Sequence, residues 1–140
     1  MFLEKAELKT VADIALVDLI TGLDDVIITD IISQSTDLMK SYMGEYYAVD
    51  TIFAAEGDSR NLTVLKYLKD IVIYEINTRY AQFNEVLRVK YEDVMRWLEN
   101  LNTGKFTAGG LPLKTGVDAP EGQADFTIRY NSQPKYNPDF

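Results

Sequence analysis

Neither cysteine nor histidine occurs in this chain of 140 residues. The absence of cysteine excludes disulfide bonds and thiolate nucleophiles, and the two absences together exclude the usual zinc sites. Without histidine, the chain also lacks the side chain best suited to proton transfer near neutral pH, so serine hydrolase chemistry has no base. We therefore predict that the protein is not an enzyme and that it uses no metal and no cofactor.

Long apolar runs and proline are also scarce. No stretch reaches the roughly 18 apolar residues that a membrane-spanning helix needs, and the start of the chain lacks the charged lead and apolar core of a secretory signal. The sequence thus predicts a soluble intracellular product without membrane contact. Proline occurs only at positions 112, 120, 134 and 138, so no long helix is expected near the C-terminus.

Basic residues are outnumbered by acidic residues, 14 to 22, which gives a formal net charge of −8. Residues 1–102 contain ten basic and eighteen acidic side chains, whereas residues 103–140 contain four of each. Such a body does not suit direct DNA binding, because affinity for the duplex depends mainly on Lys and Arg. It would suit a surface past which DNA slides, although net charge alone mostly reports on solubility.

Apolar residues recur at steps of three and four in three long segments, which predicts helices. These segments are Val26 to Met43, Asn61 to about Tyr80, and about Glu85 to Asn102. Shorter helical pieces are expected over residues 2–10 and 12–20. Asp24 and Asp25 precede the first long helix, where capping explains them better than a metal or acid–base pair does. The fold class is therefore mainly α, a small bundle of about four helices.

The last of these helices has a seam with heptad spacing, and charged residues lie on its outer face. We predict that Glu92 pairs with both Arg88 and Arg96, four residues away on either side. Trp97, beside the seam, fits the core better than a binding site. The seam consists of Leu87, Tyr91, Val94, Leu98 and Leu101.

The segment from Glu45 to Arg60 has no clear period, and we interpret it as a loop whose tip, from Glu56 to Arg60, is solvated. Its large apolar residues are Tyr46, Tyr47, Ile52 and Phe53. They fit two interpretations that the sequence leaves open. They are either packing anchors for the loop or a surface that binds a partner.

Residues 105–140 form a separate region by composition, an extended C-terminal arm that follows a helical domain of residues 1–104. Phe126, Ile128 and Tyr130 alternate with polar residues, which predicts one short β-strand. Because a lone strand is not stable by itself, the arm should pair with its own body or with another chain. The predicted partner or oligomer interface therefore comprises Tyr46, Tyr47, Ile52, Phe53, Phe126, Ile128, Tyr130, Tyr136 and Phe140.

The segment Arg88 to Lys105 contains Tyr91-Glu-Asp-Val-Met-Arg-Trp-Leu98 and ends in Gly-Lys. It resembles the last helix of the Mu-like tailed-phage head–tail joining proteins, with its Tyr-Glu-acid-Ala-x-x-Trp-Leu core. Ser41-Tyr42-Met43 followed by Tyr46-Tyr47 is similar to the signature after the family's long helix, and residues 65–74 resemble its central helix. The resemblance covers roughly residues 3–105, and from Leu111 onward no family pattern is found. The chain departs from the family at Lys40, where an acid is common, and at Glu45, where an arginine is usual.

The resemblance implies a structural virion protein that is made in the host cytoplasm and lies at the head–tail interface. Such an adaptor forms a homo-oligomeric ring, commonly of twelve copies, beneath the portal protein. It docks the next tail or stopper protein, and DNA passes through the ring without specific binding. Two competing classes come from the residues alone. One is a small helical binding or regulatory module that works as a dimer, and the other is a metal enzyme that depends on carboxylates, which the missing histidines disfavour.

Overall fold

The computed structural model describes residues 1–12, 17–18, 22, 24–105 and 107–116. Four α-helices lie entirely within these ranges: α1 (Asp25–Met43), α2 (Val49–Ala54), α3 (Leu62–Arg79) and α4 (Glu85–Thr103); Val17 and Asp18 are helical as well. Short 3-10 helices cover Lys5–Thr10 and Gly57–Ser59. The predicted mainly helical class is thus confirmed. Most of the predicted helix over residues 12–20 and the predicted strand around Ile128 lie outside the described residues.

Side-chain caps fix where the long helices begin. The carboxylate of Asp24 accepts a hydrogen bond from the Val26 N–H at 3.0 Å, and Asn61 accepts one from the Val64 N–H at 3.0 Å. Asn84 caps α4 in the same way. Each bond satisfies a backbone donor that the first helical turn leaves without a partner. The capping role predicted for Asp24 is therefore confirmed.

Helix α3 lies at the centre of the body and contacts both α1 and α4. The Tyr67 ring packs on Trp97, and the Tyr74 ring stacks on Tyr91. These contacts show that α3 and α4 are antiparallel, since the residue number rises along one helix as it falls along the other. Trp97 is half-buried against the core, in agreement with its predicted packing role. Apolar residues are buried on several sides of α3, as expected of a helix at the centre of a bundle. Its buried residues are Val64, Leu65, Leu68, Asp70, Ile71, Val72, Ile73 and Ile76.

Two local predictions were wrong. Residues 45–60 are not an irregular loop, since α2 and a 3-10 helix lie within them. The six residues of α2 are too few to show a helical period, and burial of its apolar side supplies the stability that so short a helix lacks alone. In α4, Arg96 pairs with Asp93 at 2.9 Å and not with Glu92, whose carboxylate is bound by Arg88.

Arg60 was also wrongly placed at a solvated tip. Its guanidinium donates to both carboxylate oxygens of Glu7, at 2.7 and 2.9 Å, and to the Phe2 carbonyl oxygen at 2.8 Å. The side chains of Arg60 and Glu7 are only 14% and 29% exposed. The hydrogen bond from Arg60 is the main cause that lowers the pKa of Glu7 below its ordinary value of 4.5. This bidentate pair joins the N-terminal segment to the start of α3.

The Glu7→Gln variant is expected to lower the free energy of unfolding at pH 7 by about 1.5–3 kcal/mol, because it removes a charge-assisted hydrogen-bonded pair. A depressed carboxyl pKa stabilises the fold above the unfolded-state pKa, and this contribution disappears as the pH falls through the folded-state pKa. The difference between wild type and Glu7→Gln should therefore be constant above about pH 5 and shrink in more acidic solution. Urea unfolding measured from pH 3 to 7 tests this expectation.

Glu99→Gln is the matched control, because Glu99 is exposed and forms no ion pair with a described residue. Its effect should stay within about 0.5 kcal/mol at every pH. If the two variants lose the same stability across this pH range, the pair has no special role.

Candidate assembly surface

The candidate surface lies where α1 and α4 end, beside the paired tyrosines. Gly44 ends α1, and its N–H donates to the Lys40 carbonyl oxygen at 2.9 Å. Gly104 ends α4 in the left-handed conformation and packs against the ring of Tyr46. Tyr46 is half-buried there, whereas Tyr47 is only 2% exposed. The two helix ends therefore meet on one aromatic pair.

The first part of the predicted arm, residues 107–116, returns to this aromatic pair. The Tyr47 hydroxyl oxygen accepts a hydrogen bond from the Ala108 N–H at 3.0 Å, across 61 positions of sequence. The Ala48 N–H donates to the Pro112 carbonyl oxygen at 3.0 Å, and the Lys114 N–H donates to the Tyr46 carbonyl oxygen at 2.8 Å. These backbone bonds form an isolated antiparallel bridge between Tyr47 and Leu113. The start of the arm thus pairs with its own body.

Ile52 and Phe53 lie on the buried side of α2. The Phe53 ring packs on Phe2, with ring centroids 5.0 Å apart, and the ammonium group of Lys40 lies 5.9 Å above its centroid. Tyr47, Ile52 and Phe53 all belong to the hydrophobic core of the single chain. The structure therefore shows them as packing anchors, and their role at an interface stays a prediction.

The remaining predicted interface residues, Phe126, Ile128, Tyr130, Tyr136 and Phe140, lie outside the described residues. The sequence predicted that the arm pairs with its own body or with another chain, but not that residues 107–116 return to the tyrosine pair. The signal of this return is the pair Leu111 and Leu113, two apolar residues on either side of a proline, between Gly110 and Lys114. Leu111 packs against the core, and Leu113 forms the bridge.

The charged groups of the body form pairs and surface patches. In the described ranges, no three acidic side chains come close enough together to hold a metal ion. Burial is the main cause that raises the pKa of Tyr91, and the charge of Glu75 is the next largest cause. The Tyr91 ring stacks on the Tyr74 ring, with ring centroids 4.1 Å apart. A groove of about 280 Å³ is lined by residues of α1 and α3, among them Glu75 and Arg79. The stacked tyrosine pair and this groove both lie along α3.

The architecture defines a class of protein: a small, mainly helical domain with one hydrophobic core and a C-terminal segment docked on it. None of the helices in the described part of the chain has the length and apolar character to cross a membrane. The chain belongs to the family described as Bacteriophage Mu, Gp36, whose model matches residues 2–127. No curated protein and no solved structure matches it.

The family match extends further than the resemblance found in the sequence, which ended near residue 105. It includes residues 107–116, which dock on the tyrosine pair, and continues to residue 127. The prediction that the family pattern ends before Leu111 was therefore wrong. The chain is a Mu-like phage protein, and the start of its arm belongs to the family's common region.

Proposed function

We propose that this chain is a structural virion protein, a head–tail connector adaptor. In this proposal, copies form a ring beneath the portal, dock the next tail or stopper protein, and surround a channel through which DNA passes. The observation that supports it most is membership of the Bacteriophage Mu, Gp36 family over residues 2–127. The segment of this chain from Tyr91 to Lys105 carries the motif that resembles the head–tail joining proteins.

The structure supports an assembly role in physical terms. The helices and the docked segment share one core, so the body provides a rigid unit. The ammonium group of Lys114 donates to the Gly44 carbonyl oxygen at 3.2 Å, so the docked segment is bound to the body close to its end. The described part of the chain ends two residues later, at Gly116. The 24 residues that follow span at most about 80 Å when extended. That reach is sufficient to contact a neighbouring subunit.

In this proposal, the predicted strand around Phe126, Ile128 and Tyr130 adds to an edge of a neighbouring subunit or of the portal. Tyr136 and Phe140 contribute further apolar contacts. The acidic surface of the body does not bind phosphates, so DNA moves past it without specific contacts. The role is structural, with no reaction assigned to the chain.

Co-expression of the full chain with the portal and tail proteins of the same phage tests the proposal. We expect a complex in which several copies form a ring on the portal, seen by electron microscopy and by native mass. The triple variant Phe126→Ala, Ile128→Ala and Tyr130→Ala should lose most of this binding. Its matched control, Asp125→Ala, Thr127→Ala and Arg129→Ala, changes the other face of the predicted strand and should keep it.

A stable dimer that never joins portal complexes would contradict the adaptor role. It would support the alternative of a small dimeric binding or regulatory module. Light scattering during size-exclusion chromatography distinguishes the two, because a ring on the portal and a free dimer differ severalfold in mass.

A further inference from the structure

One side of α1 presents acidic side chains to solvent, directly opposite the buried side of that helix. We call this the acidic face and define it as Val26, Asp30, Ser33, Asp37 and Ser41, which recur at steps of three and four and are all exposed. Neither aspartate forms an ion pair with a described residue. The two carboxylates are therefore available to a partner, about 10 Å apart along the helix axis.

The single cation of α1 does not neutralise this face. Lys40 lies towards α2, where its ammonium group is 4.0 Å from an Asp50 carboxylate oxygen and stands above the Phe53 ring. The acidic face consequently carries two negative charges and no positive charge.

A second patch has the opposite charge. It is a groove of about 380 Å³ between the N-terminal segment, α3 and α4. We call it the lysine groove, and its residues are Thr10, Val11, Leu62, Leu65, Lys66, Lys69, Asp70 and Lys90. It contains three of the ten basic side chains of residues 1–102, against one carboxylate. This groove is therefore positive on a body that is negative elsewhere.

The lysines of the groove keep donors free for a partner. The Lys66 ammonium group contacts the buried carboxylate of Asp70 at 3.5 Å, and Lys69 donates to the Thr10 hydroxyl oxygen at 3.1 Å. Lys90 forms no ion pair with a described residue. Because an ammonium group has three donors, each lysine retains some of them for a further acceptor.

The two patches are also alike in their apolar content. Val26, near the start of α1, is 68% exposed, and Leu62, the first residue of α3, is 75% exposed. Each is followed four residues later by a charged side chain, Asp30 in one case and Lys66 in the other. A closed ring of identical subunits needs two different, complementary patches on every copy. These two patches match in charge and in apolar content.

We infer that the acidic face of one copy docks against the lysine groove of the next copy, with the exposed aliphatic residues covered at the contact. This inference rests on the proposed ring and names the surfaces that build it. Opposite charges set the register and favour association of the correct faces, while burial of the aliphatic residues contributes the apolar part.

A second copy explains the groove better than DNA does. Proteins that bind the duplex strongly neutralise about six to ten phosphates, whereas the groove offers three lysines beside a carboxylate. The net charge of −8 would moreover repel a polyanion. An acidic helix face with two carboxylates requires no more positive charge than the groove provides.

Charge reversal of whole patches tests the contact. Variant A carries Asp30→Lys and Asp37→Lys, so both of its patches are positive. Variant B carries Lys66→Glu and Lys69→Glu, so its groove becomes acidic. Each variant alone should self-associate about tenfold or more weakly than wild type, measured by sedimentation velocity at low salt. An equimolar mixture of A and B should recover association, because each face then meets a groove of opposite charge.

The control variant carries Glu45→Lys and Asp58→Lys, which changes the net charge as much as variant A does but at exposed positions outside the acidic face. It should associate as wild type does. The inference is overturned if the mixture of A and B stays as weak as its components, if the wild-type chain remains monomeric at the highest concentrations, or if variant B loses DNA binding while its self-association is unchanged.

Binding to the portal separates this inference from the proposed function. If the chain forms rings on the portal and variants A and B do so equally well, the adaptor role stands and this contact is refuted. If the wild-type chain neither joins the portal nor self-associates, both are refuted.

Discussion

Replacing Leu68 with alanine is expected to lower the free energy of unfolding by about 2–5 kcal/mol, because the change removes buried methyl groups and leaves a cavity. Leu68 lies in the central helix α3 and is 0% exposed. Domains of this size have a total stability of about 5–15 kcal/mol, so the loss is a large part of the whole. Urea unfolding followed by the fluorescence of Trp97, the single tryptophan, measures it.

Leu62→Ala is the matched control, since it makes the same chemical change in the same helix at an exposed position. It should change the stability by no more than about 0.5 kcal/mol when measured at concentrations where the chain is monomeric. Equal losses in the two variants would mean that α3 does not occupy the centre of the body.

The long helices were predictable because two independent signals agree for each of them. In α1, the apolar period and the Asp24 cap mark the same start, and Gly44 marks the end. In α4, the seam through Val94, Leu98 and Leu101 is buried as its spacing indicates. Periodicity reports on which side of a helix is buried, so it is informative wherever a helix has several turns.

Contacts between distant parts of the chain were not predictable in this way. Arg60 and Glu7 are 53 positions apart, and nothing local distinguishes this arginine from one at a solvated tip. Helix α2 has too few turns for its period to be recognised. In both cases the structure is decided by tertiary packing, which a single sequence does not display.

The candidate surface shows the same limit. Aromatic composition singled out Tyr46 and Tyr47, but did not show that they bind the backbone of residues 108–114. Backbone hydrogen bonds leave no side-chain pattern to read. The lysine groove could not be predicted from the net charge either, because only the fold brings Lys90 into one groove with Lys66 and Lys69.

Replacing Gly104 with alanine is expected to lower the free energy of unfolding by about 2–4 kcal/mol, from backbone strain and steric overlap together. Gly104 has a φ of 76°, a conformation that costs a residue with a Cβ atom about 1–2 kcal/mol. A Cβ atom there would lie 3.0 Å from the Tyr46 hydroxyl oxygen and 3.2 Å from its Cζ atom. The Tyr46 ring would have to shift by a few tenths of an ångström to admit this atom.

Gly110→Ala isolates the strain from the overlap. Gly110 has a φ of 83°, but a Cβ atom there would meet no atom within 4 Å. We therefore expect it to cost only the left-handed penalty, about 1–2 kcal/mol.

Gly104→Ala should exceed this loss and should also speed hydrogen exchange at the amides of Ala108 and Lys114, whose bonds depend on the tyrosine pair. Adding Tyr46→Phe to Gly104→Ala removes the nearest atom and should recover part of the stability, so that the two substitutions are not additive. Equal losses for the two glycines, or strict additivity with Tyr46→Phe, would show that Gly104 ends α4 without being required for the packing of Tyr46.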